Sequence, residues 1–455
     1  MTTTTWDAPP LATLAAPEPT ARTRSGVLPM LWLGVLAVLL FWWTGTAASA
    51  GATPGGALVA LGELAGLLAS YLVCAQLLLV GRVPWFERGI GFDRLVAWHR
   101  SLGTSVVLLV LTHVALMIVG GSMLDGISLW SEVPGVLATQ PYLWPALIGT
   151  VLFLAVGLSS ARLARQKLSY EVWFAVHLTI YVGVFLAFAH QVAGGTHFVD
   201  SPVARGVWIL LYAGTAAALL TWRVVLPLVA HRRLGLRVSA VVPEGRGLAS
   251  VWLEGRGLAA LEARGGQFFL VRFLTPGHRA TAHPYSMSMV PTGDRLRFTV
   301  GALGDHSAAV ADLRPGTRVQ VEGPFGRFTA DRATTRKALL VAGGAGVGPV
   351  RALAEDLLVR GHQLVVVHRA HDAAGLALAS EFTPSPSLQY VPVPGRRARL
   401  GYDPLDAPHL RALVPDIASR DVFVCGPPAM TDAVVRSARA LGVPRTAIHR
   451  EEIES

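Results

Sequence analysis

Four histidines lie inside strongly apolar segments of this 455-residue chain, with His99 and His113 in one segment and His177 and His190 in another. Histidine is costly in the core of a membrane, so a histidine there is a functional-site hypothesis by default. The separations of 14 and 13 residues place each pair roughly 20 Å apart along a helix. Two adjacent helices would then present two facing pairs of neutral imidazoles. A haem iron is the metal centre that suits each facing pair.

An alternative is that these are buried histidines hydrogen-bonded to Ser, Thr or backbone groups between helices. The matched depth and direction of the two pairs favour metal ligation. The two spacings do not fit a regular helix equally well, because 14 residues return nearly to the same helix face whereas 13 do not. We therefore expect a bulge, a kink or a tilted ligand in the second segment, and Gly183 is the candidate weak point.

The composition divides the chain into two halves. Hydrophobic residues make up 52% and charged residues only 15%, which is too apolar for an ordinary soluble enzyme. The long apolar runs lie between 27 and about 230, and the rest reads as a soluble α/β protein. The net charge of +10 comes from basic residues that form no tract and often flank apolar runs, which argues against nucleic-acid binding. Cys74 and Cys425 are too few for a disulfide framework, a zinc site or an iron–sulfur site.

Six apolar runs predict six membrane helices. They cover about 27–49, 57–80, 97–119, 142–163, 170–192 and 206–229. Positive charge is concentrated in alternate connections, at Arg22, Arg24, Arg82, Arg88, Arg94, Arg162, Arg165, Lys167, Arg232, Arg233 and Arg237. This predicts a six-pass protein of the plasma (inner) membrane, surrounded by lipid, with both termini in the cytoplasm. His99 and His177 would then lie near the inner face, and His113 and His190 near the outer face.

Residues 1–26 are rich in Thr, Ala and Pro, which is typical of a disordered cytoplasmic tail. The first apolar run could instead be a signal peptide cleaved after Ala48-Ser49-Ala50, although its polar leader is long for that role. The expected domains are 1–26 as the tail, 27–230 as the all-α membrane domain, 234–330 as a β-barrel and 335–455 as an α/β domain.

The β-barrel prediction comes from short strands separated by turns. The strands are expected at 235–243, 248–253, 266–273, 295–300 and 318–321. Beyond residue 335, strands alternate with helices, which implies a parallel sheet that binds ligands at the carboxyl ends of its strands.

A glycine-rich loop follows the buried strand 338–342. Glycines let the backbone approach a diphosphate, whose charge meets the free amides and positive dipole of the next helix. Such turns also arise for packing alone, but a second motif after a later strand strengthens the nucleotide-binding interpretation. The residues concerned are Gly343, Gly344, Gly346, Gly348 and Pro349 in the loop, with Cys425, Gly426 and Pro427 in the second motif.

Two further motifs lie in the barrel segment. His283-Pro284-Tyr285-Ser286 offers a tyrosine that can lie against a flavin ring and a serine whose hydroxyl or amide can bond its N5 edge. About 20 residues later, Gly304-Asp305-His306-Ser307 offers small and hydroxyl-bearing residues suited to a diphosphate. Each motif, taken alone, could equally be a strand end or a turn.

These motifs together resemble the ferric reductase and NADPH oxidase superfamily over about residues 27–455. Its members combine a six-helix domain holding two stacked b-type haems with a ferredoxin–NADP reductase-like module. Its paired histidines have the spacings seen here, and Trp98-His99-Arg100 and Tyr170-Glu171-Val172-Trp173 resemble bacterial members. His-Pro-aromatic-Ser/Thr is its form of the flavin motif. Many relatives end near an aromatic residue that covers the flavin, whereas this chain ends with Ile448–Ser455, which puts that shielding in doubt.

The resemblance implies a transmembrane electron carrier. Nicotinamide would pass hydride to FAD, held by Tyr285 and Ser286 with its diphosphate near His306 and Ser307, and Cys425 would lie in the nicotinamide half. Electrons would reach the inner haem, then the outer haem, and leave by outer-sphere transfer, since bis-histidine ligation keeps no iron site open.

Several roles stay open at the level of sequence. Arg369, after the second parallel strand, is placed to meet the 2′-phosphate of NADPH. Arg94 and Arg100 are either partners of haem propionates or determinants of topology. His197 either touches the acceptor or is a surface histidine. The acceptor is expected to be O2, giving superoxide; the alternatives are a ferric or cupric chelate, or a periplasmic protein fed by a haem relay.

Overall fold

A computed structural model describes residues 26–46, 53–276, 278–279 and 281–452. The chain divides at Val225 into a helical unit and a unit of strands and helices. The tail expected at 1–26 lies outside the described residues except for Gly26, and so does the cleavage-like Ala48-Ser49-Ala50.

The helical unit is built from helices α1 to α11. Their bounds are α1 Val27–Thr46, α2 Pro54–Leu79, α3 Pro84–Ile90, α4 Phe92–Asp125, α5 Leu129–Thr139, α6 Leu143–Ser160, α7 Arg162–Arg165, α8 Tyr170–Leu178, α9 Ile180–Gly194, α10 Thr196–Val199 and α11 Pro202–Leu220. A π-helical turn, Thr221–Val225, follows α11, and α12, Leu226–Leu234, opens the second unit.

Six stretches of the described residues are long and apolar enough to cross a membrane. They are Val27–Thr46, Pro54–Leu79, Arg94–Asp125, Leu143–Ser160, Glu171–Gly194 and Pro202–Leu234. Each coincides with a run predicted from the sequence. Large side chains such as those of Leu33, Leu108 and Phe185 are exposed on these helices, as expected for surfaces that face lipid. The six-helix membrane half is therefore confirmed.

The fifth span is broken, as its histidine spacing requires, but not at the expected residue. The helix is interrupted at Thr179, between α8 and α9, where the Thr179 amide bonds to the Val176 carbonyl three residues back. Such a tightened turn advances about 120° per residue instead of about 100°, which reduces the angular gap between His177 and His190. Gly183, the expected weak point, instead lies where α9 packs closely on α6: a Cβ at Gly149 would lie 2.8 Å from the Gly183 carbonyl oxygen, and a Cβ at Gly183 would lie 3.3 Å from the Gly149 carbonyl oxygen.

The second unit begins with a six-stranded antiparallel sheet in the order β1-β2-β5-β4-β3-β6. Its strands are β1 Arg237–Gly245, β2 Leu248–Glu254, β3 Phe268–Phe273, β4 His283–Thr292, β5 Arg295–Gly301 and β6 Val319–Phe325. An antiparallel bridge from Arg237 to Arg318 links the two edges and closes the barrel. The sequence missed β4 as a full strand, because Pro284 interrupts the pattern by which a strand is recognised. A short helix, α13 Asp305–Ala308, follows β5.

A five-stranded parallel sheet follows, in the order β11-β10-β7-β8-β9. Its strands are β7 Lys337–Gly343, β8 Gln363–Ala370, β9 Leu388–Pro394, β10 Asp421–Gly426 and β11 Ile448–Glu452, and its helices are α14 Val347–Val359, α15 Arg397–Leu400, α16 Ala407–Leu413 and α17 Pro428–Ala440. Every residue of β10 is buried, because helices cover both faces of a parallel sheet. The barrel and the α/β domain expected from the sequence are confirmed.

Buried charges join the barrel to the parallel-sheet domain. Glu381 accepts hydrogen bonds from Arg297 of β5, at 2.6 and 3.0 Å, and its Oε2 lies 2.8 Å from Nε of Arg351 on α14. Arg351 also pairs with Glu355, whose pKa burial raises against the lowering effect of that guanidinium. Glu355 in turn accepts from the Val290 amide of β4. Glu381 is therefore the carboxylate shared by two buried arginines.

We predict that Glu381→Ala lowers the free energy of unfolding by roughly 3–5 kcal/mol, because it removes the carboxylate paired with the buried Arg297 guanidinium and one of the two carboxylates paired with Arg351. The measurement is thermal unfolding of the purified full-length chain, followed by intrinsic fluorescence. Asp416→Ala is the matched control, since it removes the exposed pairs with Lys337 and Arg420 and should cost at most about 1 kcal/mol. Equal destabilisation by the two substitutions would contradict the assignment.

Candidate functional site

The helical unit brings together both predicted histidine pairs. His99 of α4 lies against His177 of α8, with ring centroids 6.0 Å apart and planes at 66°. His113 of α4 lies against His190 of α9, with centroids 6.4 Å apart and planes at 34°. One long helix therefore supplies one member of each pair, and the broken fifth span supplies the other.

These separations fit a metal ion held between each pair. Two metal–nitrogen bonds of about 2 Å each, plus the distance from each nitrogen to its ring centre, place opposed imidazole centroids about 6 Å apart. Direct ring stacking would give a shorter separation and near-parallel planes. The residues present thus fit axial ligation of a haem iron in both pairs.

Hydrogen bonds select the ring nitrogen available for ligation. Nδ1 of His99 lies 3.1 Å from the Gln76 carbonyl oxygen, and Nδ1 of His113 lies 2.8 Å from the Gly62 carbonyl oxygen. A carbonyl can only accept, so Nδ1 carries the proton in each ring and Nε2 keeps its lone pair. Orientation of a metal-ligating histidine by such a bond is the usual arrangement. The close approach of His113 to α2 requires glycine at 66, where a Cβ would lie 2.8 Å from Nδ1.

The partners of the other two histidines differ. Nδ1 of His177 lies 3.3 Å from the Ser160 hydroxyl, which also accepts from the Trp173 indole at 3.2 Å. Nδ1 of His190 is buried and has no hydrogen-bond partner on another helix within the described part of the chain. A carbonyl of a neighbouring helix thus fixes the tautomer only on the α4 side of each pair. Arg94 and Arg100, whose roles the sequence leaves open, are exposed.

His113 and His190 line a cavity of about 460 Å³ enclosed by helices of the membrane half. Cofactor pockets usually measure about 300–1,000 Å³ and are mostly apolar with a few polar groups, and this cavity has that character. Its charged or titratable lining residues, apart from the two histidines, are Glu63, Glu132, His197 and Tyr212.

His197 is not a surface histidine, so that interpretation is wrong. Its side chain is 9% exposed, and Nε2 lies 3.3 Å from Oε2 of Glu63 and 3.1 Å from the Thr46 hydroxyl. The Thr196 hydroxyl donates to the other oxygen of Glu63 at 2.7 Å. Contact between α2 and the short helix α10 buries this ring, which an outer-loop assignment from sequence does not reveal.

In the second unit, the two motifs of the barrel segment meet. His283 of β4 and His306 of α13 have ring centroids 4.7 Å apart, and the His283 and Tyr285 rings are 6.3 Å apart at 28°. Burial raises the pKa of Tyr285 to about 12, so its phenol is neutral. Nδ1 of His306 is buried without a partner among the described residues, and a ligand can satisfy it. His278, which no sequence motif marked, packs on the His306 ring with centroids 5.1 Å apart.

Ser307 has a clear local role. Its hydroxyl accepts from the amides of Leu303 and Gly304 at 2.9 and 3.0 Å and donates to the Gly304 carbonyl at 3.0 Å. These bonds close the turn at the start of α13. The Ser307 hydroxyl therefore stabilises a turn, which is one of the two alternatives given for this motif. The flavin contacts expected of Pro284, Ser286 and Gly304 stay predictions.

The glycine loop and the Cys-Gly-Pro motif meet at the carboxyl ends of the neighbouring parallel strands β7 and β10. A Cβ at Gly346 would collide with the Cys425 carbonyl, so only glycine permits this approach, and Gly344 has the positive φ of 56° that glycine favours. Burial raises the pKa of the Cys425 thiol, which is therefore uncharged. The loop ends at the amino terminus of α14, where Gly348 and Pro349 are buried in the first turn. Free amides there can bind a diphosphate.

Arg369 lies near the carboxyl end of β8, which extends to Ala370 and so reaches further than expected. Its guanidinium donates to the carbonyls of Ala370 and Val393, the second at 2.9 Å. Burial and the neighbouring charge of Arg397 lower its pKa. The two arginines therefore lie together at the carboxyl edge of β8 and β9, where Arg397 also pairs with Asp403 at 2.9 Å. No sequence motif marked Arg397.

Part of the membrane half matches a known protein family. Residues 65–188 match the family described as ferric reductase like transmembrane component. This segment contains His99, His113 and His177 and ends two residues before His190.

The soluble half is similar to reductases. The chain is 31% identical over 222 residues to the ferredoxin reductase component of 3-ketosteroid-9-alpha-monooxygenase from Mycolicibacterium smegmatis, covering 47% of this chain and 60% of that protein. It is 22% identical over 318 residues to Dual oxidase 1 from Rattus norvegicus, covering 63% of this chain and 20% of that protein. The chain thus spans 60% or less of the length of these relatives. The solved Amycolatopsis cytochrome P450 reductase GcoB aligns with 48% of this chain and 69% of its own, at 23% identity and a TM-score of 0.40.

The resemblance expected from the sequence is therefore confirmed: residues 65–188 match a ferric reductase like transmembrane component, and the chain is also similar to a ferredoxin reductase component and to part of a dual oxidase.

Proposed function

We propose that this protein is a transmembrane oxidoreductase that passes electrons from cytoplasmic NADPH, by way of FAD and two b-type haems, to an acceptor outside the cytoplasm. The observation that carries the proposal is the pair of opposed imidazoles at each end of the same two spans, with centroids 6.0 and 6.4 Å apart. The reductase-like module attached to these helices supports a nicotinamide donor.

The residues proposed to hold the haems are His99 with His177 and His113 with His190. When bound, FAD supplies conversion of a two-electron hydride donor into single electrons, and the haems supply one-electron transfer across the membrane. The chain would contribute the fixed tautomers of His99 and His113, apolar surroundings and two imidazoles for each haem. Because two histidines would hold each iron, the acceptor would receive its electron without binding the metal.

The residues proposed for the nucleotides act mainly by position and charge. Tyr285 presents a neutral ring and His306 an unpartnered nitrogen in the proposed flavin site. The Gly344–Pro349 loop and the first turn of α14 offer backbone amides to a diphosphate. The uncharged thiol of Cys425 adds no negative charge beside the nicotinamide. The positive connections around Arg82, Arg162 and Lys167 favour a cytoplasmic location for this module.

O2, reduced to superoxide, is the acceptor we favour. The alternatives are an external ferric or cupric chelate and a periplasmic partner protein fed by the haems.

The histidine assignment is tested by His113→Leu. We predict loss of roughly half of the reduced-minus-oxidised b-haem absorbance, with flavin reduction by NADPH unchanged, because one ligand of one haem is removed while the soluble module is untouched. His197→Leu is the matched control, since it removes another buried histidine of the same cavity and should leave both haems in place. Equal haem loss in the two variants would refute the assignment.

The donor is tested by Arg369→Ala. We predict a rise in the KM for NADPH of roughly tenfold, equivalent to about 1.4 kcal/mol, with little change for NADH, because only NADPH carries the 2′-phosphate. Steady-state kinetics with each nucleotide give the two KM values and therefore the NADPH/NADH preference. Arg411→Ala, an exposed arginine of α16, serves as the control. An unchanged NADPH/NADH preference would count against Arg369.

The acceptor is tested by measuring superoxide output from the purified protein with and without a ferric chelate. We predict superoxide production in air that the chelate does not abolish. Reduction of the chelate at the expense of superoxide would favour the ferric reductase alternative. Oxidation of NADPH only after addition of a periplasmic extract would favour the relay.

A further inference from the structure

Gln191 of α9 directly follows His190, and its side chain links the fifth span to α11. Its Oε1 accepts from the Trp208 indole at 2.9 Å and from the Tyr212 hydroxyl at 3.2 Å. Its Nε2 donates to the Ala187 carbonyl, 3.1 Å away in the preceding turn of α9. The Trp208 side chain is buried, and the other three residues of this network line the cavity beside His190. A glutamine held at both ends therefore lies beside one of the proposed outer haem ligands.

The orientation of the Gln191 amide is determined by its partners. An indole N–H can only donate, and a backbone carbonyl can only accept. The amide oxygen must therefore face Trp208 and the amide nitrogen must face Ala187, because the reversed orientation would break both hydrogen bonds. Trp208 and Tyr212 lie one turn apart on α11, so a single helix face holds the oxygen in place. The N–H of the Gln191 side chain is thereby directed at the Ala187 carbonyl.

The Ala187 carbonyl is also the backbone acceptor within reach of the His190 ring. A carbonyl oxygen has two lone pairs. In a regular helix one of them is used by the backbone amide four residues later, which here belongs to Gln191, and the Gln191 side chain uses the other. Nδ1 of His190 has no partner on another helix that the structure describes, and it forms no hydrogen bond of good geometry with this occupied oxygen. Gln191 therefore keeps the Ala187 carbonyl from His190.

The two histidines of the outer pair are unequal ligands for this reason. Nδ1 of His113 lies 2.8 Å from the Gly62 carbonyl oxygen and donates to it, whereas His190 lacks an equivalent bond. An imidazole whose N–H donates to an acceptor becomes a more basic ligand. A more basic ligand favours the ferric state, which carries the greater positive charge, and so lowers the reduction potential of a haem iron. Withholding the acceptor from His190 has the opposite effect.

We propose that Gln191 is a positioning residue for His190, which withholds the Ala187 carbonyl and thereby raises the reduction potential of the outer haem site. The inference rests on the proposed function and adds to it a residue that favours outward transfer. Each transfer moves one electron from the inner site to the outer site, and no proton or bond moves with it. A higher potential at the outer site shifts that equilibrium towards the outer face.

The test is a potentiometric titration of the purified full-length protein in lipid nanodiscs, followed by the b-haem absorbance. The His113→Leu variant retains the inner haem and so identifies its potential. For Gln191→Leu we expect the potential of the outer haem to fall, because the freed Ala187 carbonyl accepts from His190. The inner-to-outer equilibrium constant should fall about tenfold, which corresponds to about 59 mV for a one-electron couple.

A purely structural role for Gln191 would give a different result. If the side chain only held α9 against α11, its loss would release the outer haem or produce a high-spin electron paramagnetic resonance signal, and the potential would not fall while both haems stay low-spin. Thr215→Val is the matched control, because it removes another side-chain bond to a helix carbonyl, from Thr215 to Leu211 at 2.8 Å, away from the cavity lining. It should leave both potentials unchanged. An equal fall in this variant would overturn the inference.

Trp208→Phe is a second variant, which keeps an aromatic ring at this position. It removes one of the two donors to the Gln191 oxygen, so the outer potential should fall by a smaller amount with haem content unchanged. An unchanged or raised outer potential in Gln191→Leu, or in Trp208→Phe where the first variant loses haem, would overturn the inference. If the wild-type protein contains fewer than two b-type haems, the proposed function fails instead, and the two failures are thereby distinguishable.

Discussion

The hydrogen bonds from His99 and His113 to carbonyl oxygens of α2 are the interactions on which the rest of the site depends. Each fixes a proton on Nδ1 and so leaves Nε2 with a lone pair directed away from α2. An imidazole without such a bond could rotate or change tautomer, and a facing pair would then offer no defined metal geometry. The same bonds require α2 and α4 to pack closely, which explains the glycines along α2. Gly66 is needed where His113 approaches.

The second constraint is angular. Two ligand pairs along two helices need the same face of each helix at both depths, and 13 residues of a regular helix do not return to it. The break at Thr179 tightens the turn between His177 and His190. Gly183 serves a different need, because it faces Gly149 where the backbones of α6 and α9 approach closely. In the fifth span, the break at Thr179 changes the angle between the two histidines, whereas Gly183 lies where the helix packs on α6.

The sequence was sufficient for the parts of the structure that repeat a simple physical rule. Spanning length and apolarity predicted the six helices, and alternation of strands and helices predicted the parallel sheet. It failed where tertiary contact overrides local pattern. Pro284 concealed β4, whose pairing with β3 is a long-range property. His197 read as an outer-loop residue, although Glu63 from another helix buries it, and nothing in the sequence marked Glu132 or Arg397. The Ser307 hydroxyl bonds within its own turn, and the sequence motif alone does not show whether such a hydroxyl binds the turn or a ligand.

The central claim is that each chain places two pairs of histidines to hold two six-coordinate irons. Electron paramagnetic resonance of the oxidised, purified wild-type protein, combined with pyridine haemochrome and flavin assays, tests this most directly. The account predicts low-spin ferric signals only, with two b-type haems for each flavin. A high-spin signal of comparable intensity, or one haem or none for each flavin, would contradict it.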